Sequence, residues 1–166
     1  MLASRIVTIA GLLALVSRCL AQEPAELREA REAYQKSSQT ESTRSRYITK
    51  LIHMRQRFAA ADNEAWQTVD AEIMRHPAPS DAAALSRRMV GKWRSPRHDY
   101  IYRRNGTWSM LPVEPDTTNG TWHFEGNVQV ETNILGTYRY TTLLLTDEDY
   151  ICTDGQLVFY RRRLRK

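Results

Sequence analysis

Residues 99–111 read DYIYRRNGTWSML, and the pairing of this stretch decides the fold. Asn105-Gly106 is a strong hairpin signal, because both residue types tolerate positive φ. A two-residue loop would set Tyr102 opposite Ser109 and Tyr100 opposite Leu111. A three-residue loop, Arg104-Asn105-Gly106 with Gly106 in a bulge, pairs Tyr102 with Trp108, Tyr100 with Met110 and Ile101 with Ser109. The second register gathers four large apolar side chains on one face. Burial of one face specifies register, so this is the pairing expected. Glycine then completes the turn, threonine faces solvent, and tryptophan is the first inward residue of the next strand.

The same Gly-x-Trp unit recurs as GKW at 91–93 and GTW at 120–122, where Trp122 and Phe124 share a face. From Val90 onward, short runs rich in Trp, Tyr, Val, Ile and Thr are divided by Pro96, Asn105-Gly106, Asn119-Gly120, Gly126-Asn127, Asp147-Glu148 and Asp154-Gly155. Such spacing predicts an antiparallel meander of about seven strands, with its glycines in turns. The plain expectation for the tryptophans is a shared core. The functional alternative is that Trp93, Tyr100, Tyr102, Trp108 and Trp122 line an apolar ligand pocket inside a curled sheet.

Upstream, residues 22–75 read as helical. PAELREAREAY places Pro24 at a first-turn position and repeats Leu27, Ala30 and Tyr34 on one face. Ser38 and Glu41 have capping-box spacing ahead of a helix carrying Tyr47, Leu51, Met54 and Phe58. Asp62 or Asn63 would cap a third helix bearing Trp66, Val69 and Ile73. Short connections imply antiparallel neighbours, so the unit reads as a helical hairpin preceded by a shorter helix. The prolines of HPAPSD (76–81) stop it, and a short helix capped by Ser80 or Asp81 fills the linker over 76–89. The β domain then spans 90–166.

The first 21 residues have the charged, apolar and small-residue regions of a secretory signal peptide, with cleavage expected after Ala21. Arg18 before Cys19 fits a lipidation site poorly. Without Arg5 and Arg18 the mature chain keeps 22 basic against 19 acidic residues, a charge of +3. That is too mild to point to nucleic acid. Cys152 remains as a lone thiol in the apolar run DYICTD, where it is expected to be buried and inert. No second long apolar segment follows, so no transmembrane span is expected after cleavage.

GKW ahead of a meander resembles the opening of lipocalin-like barrels, and GTW recurs in avidin-like barrels. The resemblance covers the C-terminal half, and the chain after Trp93 is short for a full lipocalin, so an incomplete barrel is expected. A second resemblance covers more. REAYQ…RYITKLIHMRQ…WQTVDAEI, then MVGKWRSPRHDYIYRRNGTWSM and YICTDGQLVFYRRR, looks like a set of uncharacterised exported bacterial proteins that join a helical hairpin to a small C-terminal β domain. It implies the α+β architecture and brings no catalytic residues.

The four histidines, His53, His76, His98 and His123, show no metal-ligand spacing, and no cofactor is expected. His98-Asp99 would put adjacent strand residues on opposite faces, which disfavours acid–base work. Asn105-Gly-Thr107 and Asn119-Gly-Thr121 match glycosylation sequons and read as hairpin turns. The C-terminal YRRRLRK places Arg161, Arg162, Arg163, Arg165 and Lys166 together. These are either a solvated strand end or a contact for an anionic envelope surface, enlarged by Arg94, Arg97, Arg103 and Arg104 if those lie nearby. The expectation is a non-enzymatic protein, periplasmic or secreted, whose β domain binds a small apolar ligand or an envelope partner. The alternative is a structural protein whose helices dock a partner.

Overall fold

The structure, a computed structural model, describes residues 23–112 and 118–165. The expected signal peptide with Cys19, and Lys166 at the C-terminus, lie outside the described residues. Among the described residues, four helices, α1 (Ala25–Gln35), α2 (Glu41–Ala60), α3 (Ala65–Met74) and α4 (Ala82–Met89), precede the strands. Their starts follow from short polar side chains. Thr40, in extended backbone, caps α2 by accepting from the Thr43 N–H at 3.2 Å. Ser38, two residues earlier, does not take that role. Asn63 accepts from the Ala65 N–H and Asp81 from the Ala84 N–H, each at 2.9 Å. Pro24 stands just ahead of α1 rather than inside its first turn, and its carbonyl accepts from Leu27 and Arg28.

Eight antiparallel strands follow: β1 (Gly91–Arg94), β2 (Asp99–Tyr102), β3 (Thr107–Leu111), β4 (Asn119–Glu125), β5 (Val128–Asn133), β6 (Gly136–Leu145), β7 (Asp149–Thr153) and β8 (Val158–Arg163). Each pairs with the next, and β1 pairs with β8 through Trp93–Arg163 and Arg94–Arg162. The barrel is therefore closed, and the expectation of an incomplete one is corrected. Eight short strands joined by tight turns need little chain to close, and a barrel of that count is just wide enough for side chains to fill.

The β2–β3 hairpin has the expected register, with Tyr102 opposite Trp108, Tyr100 opposite Met110 and Ile101 opposite Ser109. Gly106 sits at φ +77°, where a β-carbon would be strained. The third Gly-x-Trp unit works differently. Gly120 lies inside β4, opposite Trp108, and not in a turn. A β-carbon there would collide with the Thr132 carbonyl and stand 3.0 Å from the Trp108 indole nitrogen. Gly120 is small so that the indole can cross the strand.

Strand alternation sorts the side chains into two cores. Inside the barrel, Trp93, Tyr102, Trp108, Trp122, Phe124, Tyr150 and Cys152 pack with Leu85 and Met89 of α4, which closes one end. On the outer wall, Leu143, Leu144 and Ile151 join Leu27, Ile48, Leu51, Met54, Val69 and Ile73 from α1–α3. The helical layer and the barrel thus share an apolar interface. A hydrogen bond from the Tyr160 hydroxyl to Asp70, 2.8 Å, crosses it.

Candidate functional site

In a barrel of consecutive antiparallel strands, the β1–β2, β3–β4, β5–β6 and β7–β8 connections share one end, opposite α4. The lumen changes character between the two ends. At the α4 end, Trp93 is fully buried and donates its indole N–H to the Met89 carbonyl at 2.8 Å. Trp122 donates to the carbonyls of Arg103 and Thr107, at 3.1 and 3.0 Å. Trp108 is 4% exposed and Trp122 6%. These indoles fill the floor of the barrel. Trp122 also lines an outside groove of about 600 Å³ with Val90, Arg87 and Arg104.

Above the floor lies a buried polar network. Glu131 Oε1 accepts from the Tyr102 hydroxyl at 2.5 Å and from Gln129 Nε2 at 3.0 Å, with Arg161 Nη1 at 3.4 Å. Tyr150 donates to Gln129 Oε1, and Arg161 Nη1 also donates to the Tyr102 hydroxyl. Four strands, β2, β5, β7 and β8, are tied across the interior. Alternation places Phe159, Arg161 and Arg163 on the inner face of β8, so Arg161 has a side chain only 4% exposed and is no surface cation. Burial works against its charge, but the surrounding tyrosine hydroxyls and the Glu131 carboxyl outweigh burial and hold it protonated. Its guanidinium carbon stands 3.9 Å from the Tyr100 ring centre and within 6 Å of Tyr102, Tyr140 and Tyr150.

Toward the mouth, Tyr100, Met110, Tyr140 and Phe159 are only partly buried. Burial raises the Tyr100 and Tyr140 hydroxyls above their ordinary value, so both remain donors. Beside this end, a cleft of about 510 Å³ between α2 and the β1–β8 seam reaches Arg161, with Ile52, His53, Ser95 and Tyr160 on its walls. Of the aromatic candidates, Trp93, Tyr102, Trp108 and Trp122 are buried packing residues, and Tyr100 alone lies in the half-open part. Sequence reading missed Gln129, Glu131, Tyr140, Tyr150 and Phe159.

The remaining C-terminal cations are dispersed. Arg163 lies over the Trp93 ring, 4.2 Å from its centre, and donates to the carbonyls of Val90, Arg88 and Asp147. Arg162 and Arg165 are exposed beside Asp149 and Glu148. Arg103 and Arg104 sit in the β2–β3 turn at the α4 end, whereas Arg94 and Arg97 flank the β1–β2 turn at the mouth. Cys152 is buried, and burial pushes its thiol up to about 11. His98 is in a turn, and Asp99 is held by Arg94 at 2.7 Å. His76 meets Glu72 at 3.1 Å in the helical layer, and no group of three metal-ligating side chains occurs among the described residues.

The fold and site define a closed eight-stranded barrel with one helix-plugged end, a charged middle layer and an aromatic mouth. No known protein family, curated protein or solved structure matches the chain.

Proposed function

We propose that the chain is an exported, non-catalytic binding protein whose barrel takes a small, largely apolar ligand at the mouth opposite α4. Export rests on the signal-peptide pattern of residues 1–21. The observation that carries the binding reading is the contrast within one lumen. Its floor is filled by shielded indoles, while Tyr100, Met110, Tyr140 and Phe159 stay partly exposed above Arg161. Arg161, lying against the Tyr100 and Tyr140 rings, and the hydroxyls of those two tyrosines supply hydrogen-bond donors at that level of the barrel. They suit a ligand with an apolar body and an oxygen acceptor at one end. Because Glu131 balances the Arg161 charge, that acceptor need carry no full charge.

The alternative role for the helices has less support. The apolar stripes of α1–α3 are occupied by one another and by the wall of β6 and β7. Titration with 11-(dansylamino)undecanoic acid tests the binding reading. Its emission should rise and shift to the blue with one saturable site, and Tyr140→Ala or Phe159→Ala should weaken binding about tenfold. Trp93, Trp108 and Trp122 should resist acrylamide quenching with or without the probe. An unchanged probe, or binding indifferent to both substitutions, rules the mouth out.

A further inference from the structure

Five large apolar side chains stand exposed among the described residues, and all five lie at the mouth end. Ile134, 73% exposed, and Leu135, 67%, make the β5–β6 turn, and Leu157, 60%, lies in the β7–β8 turn. Leu111 ends β3, and Tyr138 lies near the start of β6. Single exposed leucines are ordinary on protein surfaces and need no explanation. Their sorting to one end of a barrel, on the tips of successive hairpins, does.

The charge around them narrows the partner. Among the described residues of this end, Arg97 and Asp154 stand in the turns, and Arg94 is paired with Asp99. The rim has no cationic excess and complements an uncharged apolar partner. Arg88, Arg103, Arg104, Arg163 and Arg165 belong to the opposite end, where an anionic surface would have to dock in the reverse orientation. Shape narrows it again. Ile134 and Leu135 lie on one hairpin tip and Leu157 on the next, two strands further around the barrel, so the apolar contacts are separate points and not one flat patch. A fluid hydrocarbon surface adapts between them.

We infer that the rim docks on a lipid surface through insertion of Ile134, Leu135 and Leu157, held by apolar contact and not by charge. Docked this way, the mouth faces the bilayer and the α4 end with its arginines faces water. The inference stands whether or not the lumen takes a ligand, since it rests on the tips alone.

The test uses the full chain with phosphatidylcholine vesicles, and with the same vesicles enriched in phosphatidylglycerol. Leu135→Trp adds an exposed reporter to a protein whose barrel tryptophans are shielded. Its emission should shift to the blue on phosphatidylcholine and be quenched by brominated lipid. The combined Ile134→Ser, Leu135→Ser and Leu157→Ser variant, checked for intact circular dichroism, should co-sediment roughly tenfold less or weaker still. Arg162→Glu with Arg165→Glu should sediment like the parent, and added salt should change little. Three outcomes overturn the inference. One is an unshifted reporter, which would leave any binding to the N-terminal apolar residues or to none. The second is a serine variant that binds as the parent does. The third is binding that demands phosphatidylglycerol and fails in the Arg162 and Arg165 variant.

Discussion

Glu131 in the barrel and Glu72 in the helical layer are both buried carboxyls met by arginine and tyrosine, but their surroundings differ. Glu72 is 2% exposed and spreads four donors over both oxygens. Tyr47 at 2.9 Å and His76 at 3.1 Å reach Oε1, while Arg31 at 2.9 Å and Arg75 at 3.1 Å reach Oε2. Its cationic partners keep side-chain exposures of 27% and 68%, so each retains part of its hydration while holding it. Glu131 receives all its donors on one oxygen, and its cation is almost wholly dehydrated. A partly solvated cluster staples helices at low cost. A dehydrated pair gives little net stability over an apolar filling, so its presence in the lumen points to a role other than holding the barrel together.

The largest effect should come from breaking the dehydrated pair on one side only. Glu131→Gln leaves Arg161 charged and buried without a counter-charge, and urea denaturation should show a loss of about 3–5 kcal/mol. Replacing both partners, as Glu131→Leu with Arg161→Met, should return most of that stability. The double variant should nonetheless bind the dansyl fatty acid more weakly than the parent, because the donors at the mouth are gone. Full stability with unchanged probe binding would make the pair a mere packing choice.

Breaking the solvated cluster should cost less and show a clear pH signature. Burial alone would raise Glu72, but the donors from Arg31, His76 and Tyr47 outweigh it and hold the carboxyl at about 2. The folded value lies below the unfolded one near 4.5, so the contribution is complete above pH 4.5 and fades as pH falls toward 2. Glu72→Gln should therefore destabilise by roughly 2–3 kcal/mol at neutral pH and progressively less in acid. Equal losses at pH 7 and pH 3 would mean that the side chain acts by shape and not by charge.

How much of this was legible follows the distance over which each feature is encoded. The Tyr102–Trp108 register was readable because turn residues and an alternating apolar face specify it within thirteen residues. Gly120 was misread because Asn-Gly signals a turn locally, while the need for a bare strand arises from the Thr132 carbonyl and the Trp108 indole on the neighbouring strands. Barrel closure depends on pairing Trp93 with Arg163, ends of the chain segment that share no local pattern. Arg161 was hidden inside a run of arginines. One signal was available: Phe159, Arg161 and Arg163 alternate, so an inward Phe159 carries Arg161 inward with it. Gln129 and Glu131 could not be read the same way. They alternate with Val128 and Val130, and the usual rule puts the polar residues outside, whereas here the valine face is the outer one.

The smallest expected effect probes the boundary between the two regions. Tyr160, on the outer face of β8, donates to Asp70 of α3 at 2.8 Å, and Arg55 stands 3.4 Å from the same carboxyl. Burial raises Asp70 above its usual value, and the Tyr160 and Arg55 donors pull it back only in part. Because the folded value lies above the unfolded one, Asp70 favours the fold when protonated, and that contribution is lost as pH rises through its folded value. Tyr160→Phe removes one compensating donor, so its cost of about 1 kcal/mol should appear at neutral pH and shrink in acid. In a double-mutant cycle with Asp70→Asn, the coupling should account for most of that loss. A coupling near zero would mean that the helical layer and the barrel are joined by their apolar contact and by other polar contacts, such as the one Arg44 makes to the Leu143 carbonyl at 2.7 Å. A coupling of the expected size would make this hydrogen bond a polar link through which an acid-induced loosening of the helices reaches β8, the strand that carries Arg161.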